Sequence, residues 1–214
     1  MPTQYPLALS LMDFLPPLFF LAGAGFLVRL ARLERAGGSI RLLIAGGTLV
    51  FLGGFLKAIW KLLVALQIAD IRVLAEQQFV LLAPGFLLMF IGVLHLVQRR
   101  EAPSGVTAMA AWKIPFLAVM TISSIGMNGI LTWHAFQRRQ RLAGWMFIVT
   151  VLCLFGMAGM SSAPQTIALQ WIEESINLLA QAAFLGGCYL LQSQRVSQTK
   201  TQAMPLPQTQ TDLP

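Results

Sequence analysis

The chain has 214 residues, of which 57% are hydrophobic and 11% charged, and its mean hydropathy is +0.71. Ordinary globular domains contain about 45–50% apolar and about 25% charged residues. This composition indicates a membrane protein and excludes a disordered chain or a collagen-like repeat. Because Cys153 and Cys188 are the only cysteines, it also excludes a disulfide-stapled secreted domain.

The net charge of +7 comes from short basic clusters at the ends of apolar runs. Clusters in this position are typical of helix ends that meet anionic lipid headgroups. No basic patch lies outside these flanking segments, so the charge predicts the lipid bilayer as partner and no binding of nucleic acid. The clusters are Arg29, Arg32 and Arg35; Arg99 and Arg100; and Arg138, Arg139 and Arg141.

Six apolar runs are long enough to cross a bilayer, which needs about 20 residues at 1.5 Å each. Their length and continuity predict helices, since barrel strands would alternate over about ten residues. The sequence therefore predicts an all-α, polytopic bundle of six spans over residues 1–191, followed by a disordered polar tail over 192–214. The predicted spans are Leu9–Leu30, Arg41–Leu66, Gln77–Val97, Lys113–Phe136, Leu142–Ser162 and Ile167–Leu191.

The orientation of these spans in the membrane follows only weakly from charge. If spans alternate in direction and the amino terminus is outside, the two sides carry nearly equal numbers of basic residues. We predict an outside amino terminus because the first span has its basic flank at its carboxyl end. Inside would lie Arg29, Arg32, Arg35, Arg41, Arg99, Arg100 and Lys113; outside would lie Arg72, Arg138, Arg139, Arg141, Arg195 and Lys200.

A short similarity divides the chain in two. Glu76 followed by Leu81-Leu82-Ala83 reappears 97 residues later as Glu173 followed by Leu178-Leu179-Ala180. Chance similarity between Leu- and Ala-rich helices is one explanation. An internal repeat is the other, and three alternating spans per half would then make the second half inverted relative to the first.

Polar side chains inside the spans mark the candidate site, because an ionisable group in hydrocarbon costs about 2.5–3.5 kcal/mol. On the last span such residues recur at helical spacing, and the fourth span repeats the same spacing. The second span adds two lysines one turn apart. The last span carries Gln170, Glu173, Asn177 and Gln181; the fourth carries Thr121, Ser124, Asn128 and Thr132; the second carries Lys57 and Lys61.

Alternating spans place Lys57 and Lys61 on the other side of the midplane from Glu173 and Glu174, so we expect no direct pairing between these groups. Glu76, at the start of the third span, is then the expected partner of Lys61, and Asn128 lies nearest Lys57 in depth. The alternative roles are snorkelling for the lysines, back-bonding for the Ser and Thr side chains, and an interfacial position for Glu173.

No catalytic or metal-binding arrangement is predicted, and we expect neither an enzyme nor a bound cofactor. His95 and His134 lie near the carboxyl ends of neighbouring spans, which alternation places on opposite sides of the membrane, so they would not share a metal ion. Cys153 and Cys188 are expected to be free, buried thiols.

The leading functional hypothesis is a small-solute or ion transporter in the cell membrane. Its pathway residues would be Glu173, Asn177, Gln181, Asn128, Ser124, Lys57, Lys61 and Glu76. The alternative is a non-catalytic membrane subunit or sensor whose polar faces bind another subunit or a second copy of the chain. A transporter must line these faces with water, whereas a subunit must bury them against a partner.

Overall fold

In the computed structural model, residues 6–98, 114–160 and 166–202 are described. This part of the chain is helical, without strands. Residues 1–5, 99–113, 161–165 and 203–214 lie outside the described residues, and with them Lys113, Ser162 and much of the predicted tail. The helices are α1 (Leu7–Met12), α2 (Leu15–Leu33), α3 (Gly37–Ala65), α4 (Arg72–Gln98), α5 (Ile114–Gln137), α6 (Arg141–Met160) and α7 (Ile167–Gln202).

Within residues 6–98, 114–160 and 166–202, three segments are long and apolar enough to cross a membrane: Leu7–Leu33, which joins α1 and α2, Gly37–Ala65, and Arg72–Val97. They correspond to the first three predicted spans. Among the described residues, α6 contributes a shorter apolar stretch, Arg141–Met157. Helix α7 continues to Gln202, past Leu191, where the last span was predicted to end.

Local sequence explains where several helices begin and end. Pro16 and Pro17 occupy the first turn of α2, where the missing backbone N–H has no intrahelical partner to lose. Helices α2 and α5 both stop at an arginine in the left-handed region, Arg35 at φ 55° and Arg139 at φ 59°. In each case the following residue bonds back five residues, which satisfies a terminal carbonyl.

The six long helices form a closed ring in chain order. Each packs against the next one along the chain, and α7 packs against α2 to close the ring. Small residues bring the backbones together at one of these contacts, where Gly46 of α3 lies against Gly85 of α4. The short helix α1 packs mainly against α3.

Ion pairs at the two ends of the ring show the direction of its helices. At the upper end, Lys61 near the end of α3 binds Asp13, just before α2, and Glu174 near the start of α7. At the lower end, Glu34, just after α2, binds Arg138, just after α5, and Arg195 of α7. Helices α2, α5 and α7 therefore run from the upper to the lower end.

Helix α3 is antiparallel to α2 and α4, and α6 is antiparallel to α5 and α7. Because α2 and α5 both run from the upper to the lower end, α4 and α5 are parallel neighbours. Leu43 near the start of α3 contacts Gly92 late in α4, and Phe147 of α6 contacts Gly187 of α7 in the same way. The prediction that all spans alternate is therefore wrong. Helix α4 ends at the lower end of the ring and α5 begins at the upper end.

The two halves, α2–α4 and α5–α7, are consequently parallel and not inverted. Leu43 corresponds to Phe147, 104 residues later, and Gly92 corresponds to Gly187, 95 residues later. The backbone turns after α2 and α5 are also related by 104 residues. Ala36 N donates to Ala31 O at 3.0 Å, and Gln140 N donates to Ala135 O at 2.9 Å. The offset of 97 suggested by the sequence does not match these contacts.

Apolar side chains fill the lower half of the ring. They are almost completely buried, so this layer of the described residues is closely packed. They include Leu27, Leu30, Leu43, Met89, Val93, Leu131, Phe147, Cys188 and Leu191.

Candidate functional site

A cavity of about 220 Å³ lies inside the upper half of the ring. All six long helices line it, so its walls depend on both halves of the chain. Six of the eight predicted site residues belong to this lining: Lys57, Ser124, Asn128, Glu173, Asn177 and Gln181. Lys61 and Glu76 do not belong to it.

Amide groups form the polar wall of the cavity. Asn128 is 1% exposed, and its Nδ2 donates a hydrogen bond to the backbone oxygen of Ser124 at 2.9 Å. That bond uses the donor side of the amide and orients Oδ1 as an acceptor. Within the described part of the chain, neither Asn128 Oδ1 nor Gln181 Oε1 has a hydrogen-bond partner.

Aromatic rings form another part of the lining. Phe20 stacks on Phe184 with ring centroids 5.2 Å apart and meets Phe86 edge-on at 5.5 Å. Such arrangements contribute about 0.5–1.5 kcal/mol beyond the burial of the rings themselves. The lining therefore has two parts, apolar aromatic rings and hydrogen-bonding groups.

The repeat explains why the lining has both apolar and polar parts. At the offset of 95, Gln78, Leu82 and Phe86 of α4 occupy positions equivalent to Glu173, Asn177 and Gln181 of α7, and all six line the cavity. The first half thus provides mostly apolar groups where the second provides polar ones. The two halves share their arrangement of helices but line the cavity with different kinds of side chain.

An ion cluster of Asp13, Lys61 and Glu174 lies at the upper end beside the cavity. Lys61 Nζ lies 2.5 Å from Asp13 Oδ2 and 2.6 Å from Glu174 Oε1, and the three side chains are 4–11% exposed. Ser10 Oγ donates to the backbone oxygen of Lys61 at 3.3 Å. Two carboxylates therefore share one ammonium group, away from water.

This cluster corrects two sequence predictions. Lys61 does pair with a carboxylate of α7, and Glu76 is exposed on α4. Both errors follow from alternation, which placed the start of α7 at the wrong end of the bundle. Asp13 was not recognised as a site residue, although an acidic residue inside an apolar run was a usable signal.

A second ion cluster, formed by Glu34, Arg138 and Arg195, closes the lower end. Arg195 Nε donates to Glu34 Oε1 at 2.9 Å, and Arg138 donates to the same oxygen. Burial would raise the pKa of Glu34, but the hydrogen bonds from Arg195 and Arg138 outweigh it and lower the pKa to about 2. Glu34 and Arg138 occupy equivalent positions of the two halves, so their ion pair joins opposite sides of the ring.

Among the described residues, no group of three or more His, Cys, Asp or Glu side chains could hold a metal ion. The prediction that His95 and His134 lie on opposite sides is wrong, because α4 and α5 are parallel and both histidines fall in the lower half. Cys153 and Cys188 are free thiols, as predicted, but only Cys188 is buried, whereas Cys153 is partly exposed.

Comparisons with protein families, curated proteins and solved structures gave no match to this chain. The functional inference therefore depends on the cavity and the two ion clusters. Their residues come from every long helix of the ring, and they mark three levels along its axis: the upper ion cluster, the cavity and the lower ion cluster.

Proposed function

We propose that the chain is a membrane protein whose six long helices cross the bilayer and that it transports a small polar solute through the cavity. The observation that carries this proposal is the convergence of the polar residues of α5 and α7 on one cavity. The volume, about 220 Å³, is below the roughly 300–1,000 Å³ of sites for drug-sized ligands. The expected solute is therefore small.

The alternative, a subunit that binds a partner through its polar faces, would need those faces to point outward. The outward positions of α5–α7 carry large apolar side chains instead, such as Ile122, Leu152 and Leu179, which are 69%, 62% and 55% exposed. A surface of this kind suits lipid. The direction of the polar side chains therefore favours a solute over a partner helix.

The parallel halves also support an orientation, with the upper end outside. The lower end carries most of the basic residues at helix ends, whereas the upper end has Arg72 and the ion-paired Lys61 among the described residues. Cytoplasmic segments are enriched in Lys and Arg, so the lower end is inside and the amino-terminal end of α1 is outside. The basic residues at the lower end are Arg29, Arg32, Arg35, Arg41, Arg138, Arg139, Arg141 and Arg195.

In this orientation the cavity lies towards the outside, and the route to the inside is closed. The closure has two layers, the apolar core of the lower half and the lower ion cluster. Transport then requires the halves to move apart at the lower end, which separates Glu34 from Arg138. The two parallel halves are rigid units suited to such a motion.

Cysteine labelling tests the proposal. In a chain with Cys153 and Cys188 replaced by alanine, single cysteines are introduced at Asn177 in the cavity, Leu131 in the closed core and Leu179 on the lipid face. A charged, membrane-impermeant methanethiosulfonate is then added to intact cells. We expect rapid labelling of Asn177→Cys alone. Labelling of Asn177→Cys no faster than that of the two controls would contradict a water-filled cavity.

A further inference from the structure

Two amide oxygens that face the cavity are acceptors without a donor among the described residues. Asn128 Oδ1 and Gln181 Oε1 lack partners in the described part of the chain, and Asn128 is 1% exposed. A buried acceptor without a donor is costly, so these oxygens favour a solute that brings N–H groups. The carboxylate of Glu173 lines the same cavity and adds negative charge.

A basic group faces the same space. Lys57 lines the cavity and forms no ion pair or hydrogen bond within the described residues, in contrast to Lys61, one turn further along α3, which is held by two carboxylates. The carboxylates of Glu173 and Glu174 line the same cavity, but within the described residues Lys57 forms an ion pair with neither. Its ammonium group is therefore available to donate to a solute carboxylate.

Aromatic rings also line the cavity. Phe20, Phe86 and Phe184 present rings to the cavity, and such rings attract both apolar groups and cations. A cavity of about 220 Å³ suits a solute with a short aliphatic part.

We propose that the solute is a small aliphatic zwitterion with an ammonium group and a carboxylate, as in a short-chain amino acid. Its ammonium group donates to Asn128 Oδ1 and Gln181 Oε1, its carboxylate accepts from Lys57, and its carbon chain packs on the phenylalanines. This inference rests on the proposed function, since it names the substrate class of the same cavity.

Matched ligands test the inference on the purified full chain in detergent. The zwitterion is free valine, and its partners each lack one charged group: isobutylamine has no carboxylate, and 3-methylbutanoate has no ammonium group. The shift of the thermal unfolding midpoint is measured against ligand concentration. We expect valine to act at concentrations at least about tenfold lower than either partner, as expected from the loss of one charge-assisted hydrogen bond.

Substitutions then assign the two ends of the ligand. Lys57→Met should weaken valine binding by about 10- to 100-fold and leave isobutylamine unchanged. Asn128→Ala should weaken valine and isobutylamine alike. Gly156→Ala is the control, because a Cβ at Gly156 contacts no other group within 4 Å, and it should change neither. The ligand series on the unmodified chain gives a result even where a variant fails to fold.

The outcomes separate this inference from the proposed function. Equal binding of valine and isobutylamine would overturn the zwitterion, and so would equal binding of valine and 3-methylbutanoate, but either result would keep a solute-binding cavity. No effect of any of the three ligands would overturn the zwitterion as well. The labelling of Asn177→Cys would then decide whether the cavity function fails with it.

Discussion

At the scale of single residues, Lys61 is the group on which the upper ion cluster depends. Removing its charge leaves Asp13 and Glu174 facing each other in a buried site. Loss of one partner of a buried ion pair costs about 3–5 kcal/mol. We therefore expect Lys61→Met to lower the free energy of unfolding in detergent by about that amount, measured by chemical denaturation.

The triple variant Lys61→Met, Asp13→Asn, Glu174→Gln is the informative control. It removes all three charges and should recover much of the stability lost by the single change, because no uncompensated charge remains. A triple variant as unstable as Lys61→Met would show that packing of the lysine side chain, and not its charge, stabilises the upper end.

Glu34 should make the lower ion cluster sensitive to acid. Its pKa is lowered from 4.5 to about 2, so the ionised form stabilises the fold above about pH 4.5, and this stability is lost as the pH falls towards 2. We expect Glu34→Gln to cost about 1–3 kcal/mol at pH 6 and less at pH 3, measured by unfolding in detergent. A cost that stays constant between these pH values would contradict the ionic role.

The sequence predicted which residues line the cavity better than it predicted which charged residues form ion pairs. Helical spacing alone identified Asn128, Asn177 and Gln181 as groups on inward faces, because polar side chains in a membrane helix avoid lipid. Pairing depends on which helix ends meet. Lys61 does lie on α3, as its span predicted. Glu76 was wrongly predicted as its partner because alternation placed the start of α7 at the other end of the bundle.

At the scale of helices, the contact between α3 and α4 depends on glycine. A Cβ at Gly46 would lie 2.6 Å from the backbone oxygen of Gly85 and 2.8 Å from the backbone nitrogen of Met89. Backbone atoms cannot give way cheaply, so Gly46→Ala should separate the two helices. We expect a loss of about 1–3 kcal/mol in the free energy of unfolding in detergent.

Gly25 is the matched control for this prediction. It lies on the exposed face of α2, and a Cβ there meets nothing within 4 Å. Gly25→Ala should be neutral or slightly stabilising, because alanine favours the helix. Equal effects of Gly25→Ala and Gly46→Ala would exclude close packing as the reason for the glycine in α3.

Helix positions were accessible from the sequence, but helix directions were not. Apolar length fixes a span such as Gly37–Ala65 without reference to any other helix. Direction was inferred from strict alternation, which fails between α4 and α5. The repeat was also hidden, because its halves share few identical residues and their offset changes from 104 to 95 between α6 and α7.

At the scale of the whole molecule, parallel halves change the expected topology. Gly37 and Arg141 are the first residues of α3 and α6, both are exposed, and both lie at the lower end. In a chain with Cys153 and Cys188 replaced by alanine, Gly37→Cys and Arg141→Cys should both react with an impermeant maleimide only after the cells are permeabilised. Asp70→Cys, at the upper end, should react in intact cells. Alternating spans predict instead that Gly37→Cys and Arg141→Cys react from opposite sides.

The central claim is that the two halves run in the same direction and so bring their polar faces around one cavity. Cross-linking of Glu34→Cys with Arg138→Cys, in the chain lacking Cys153 and Cys188, tests it most directly, with a bifunctional thiol reagent whose spacer is as long as a Glu–Arg ion pair. We expect rapid intramolecular cross-linking, because the side chains at these positions meet across the ring at its lower end. The pair Glu34→Cys with Asp70→Cys, at opposite ends, should not link. Cross-linking of Glu34→Cys with Arg138→Cys no faster than this control pair would contradict the parallel arrangement, and with it the cavity.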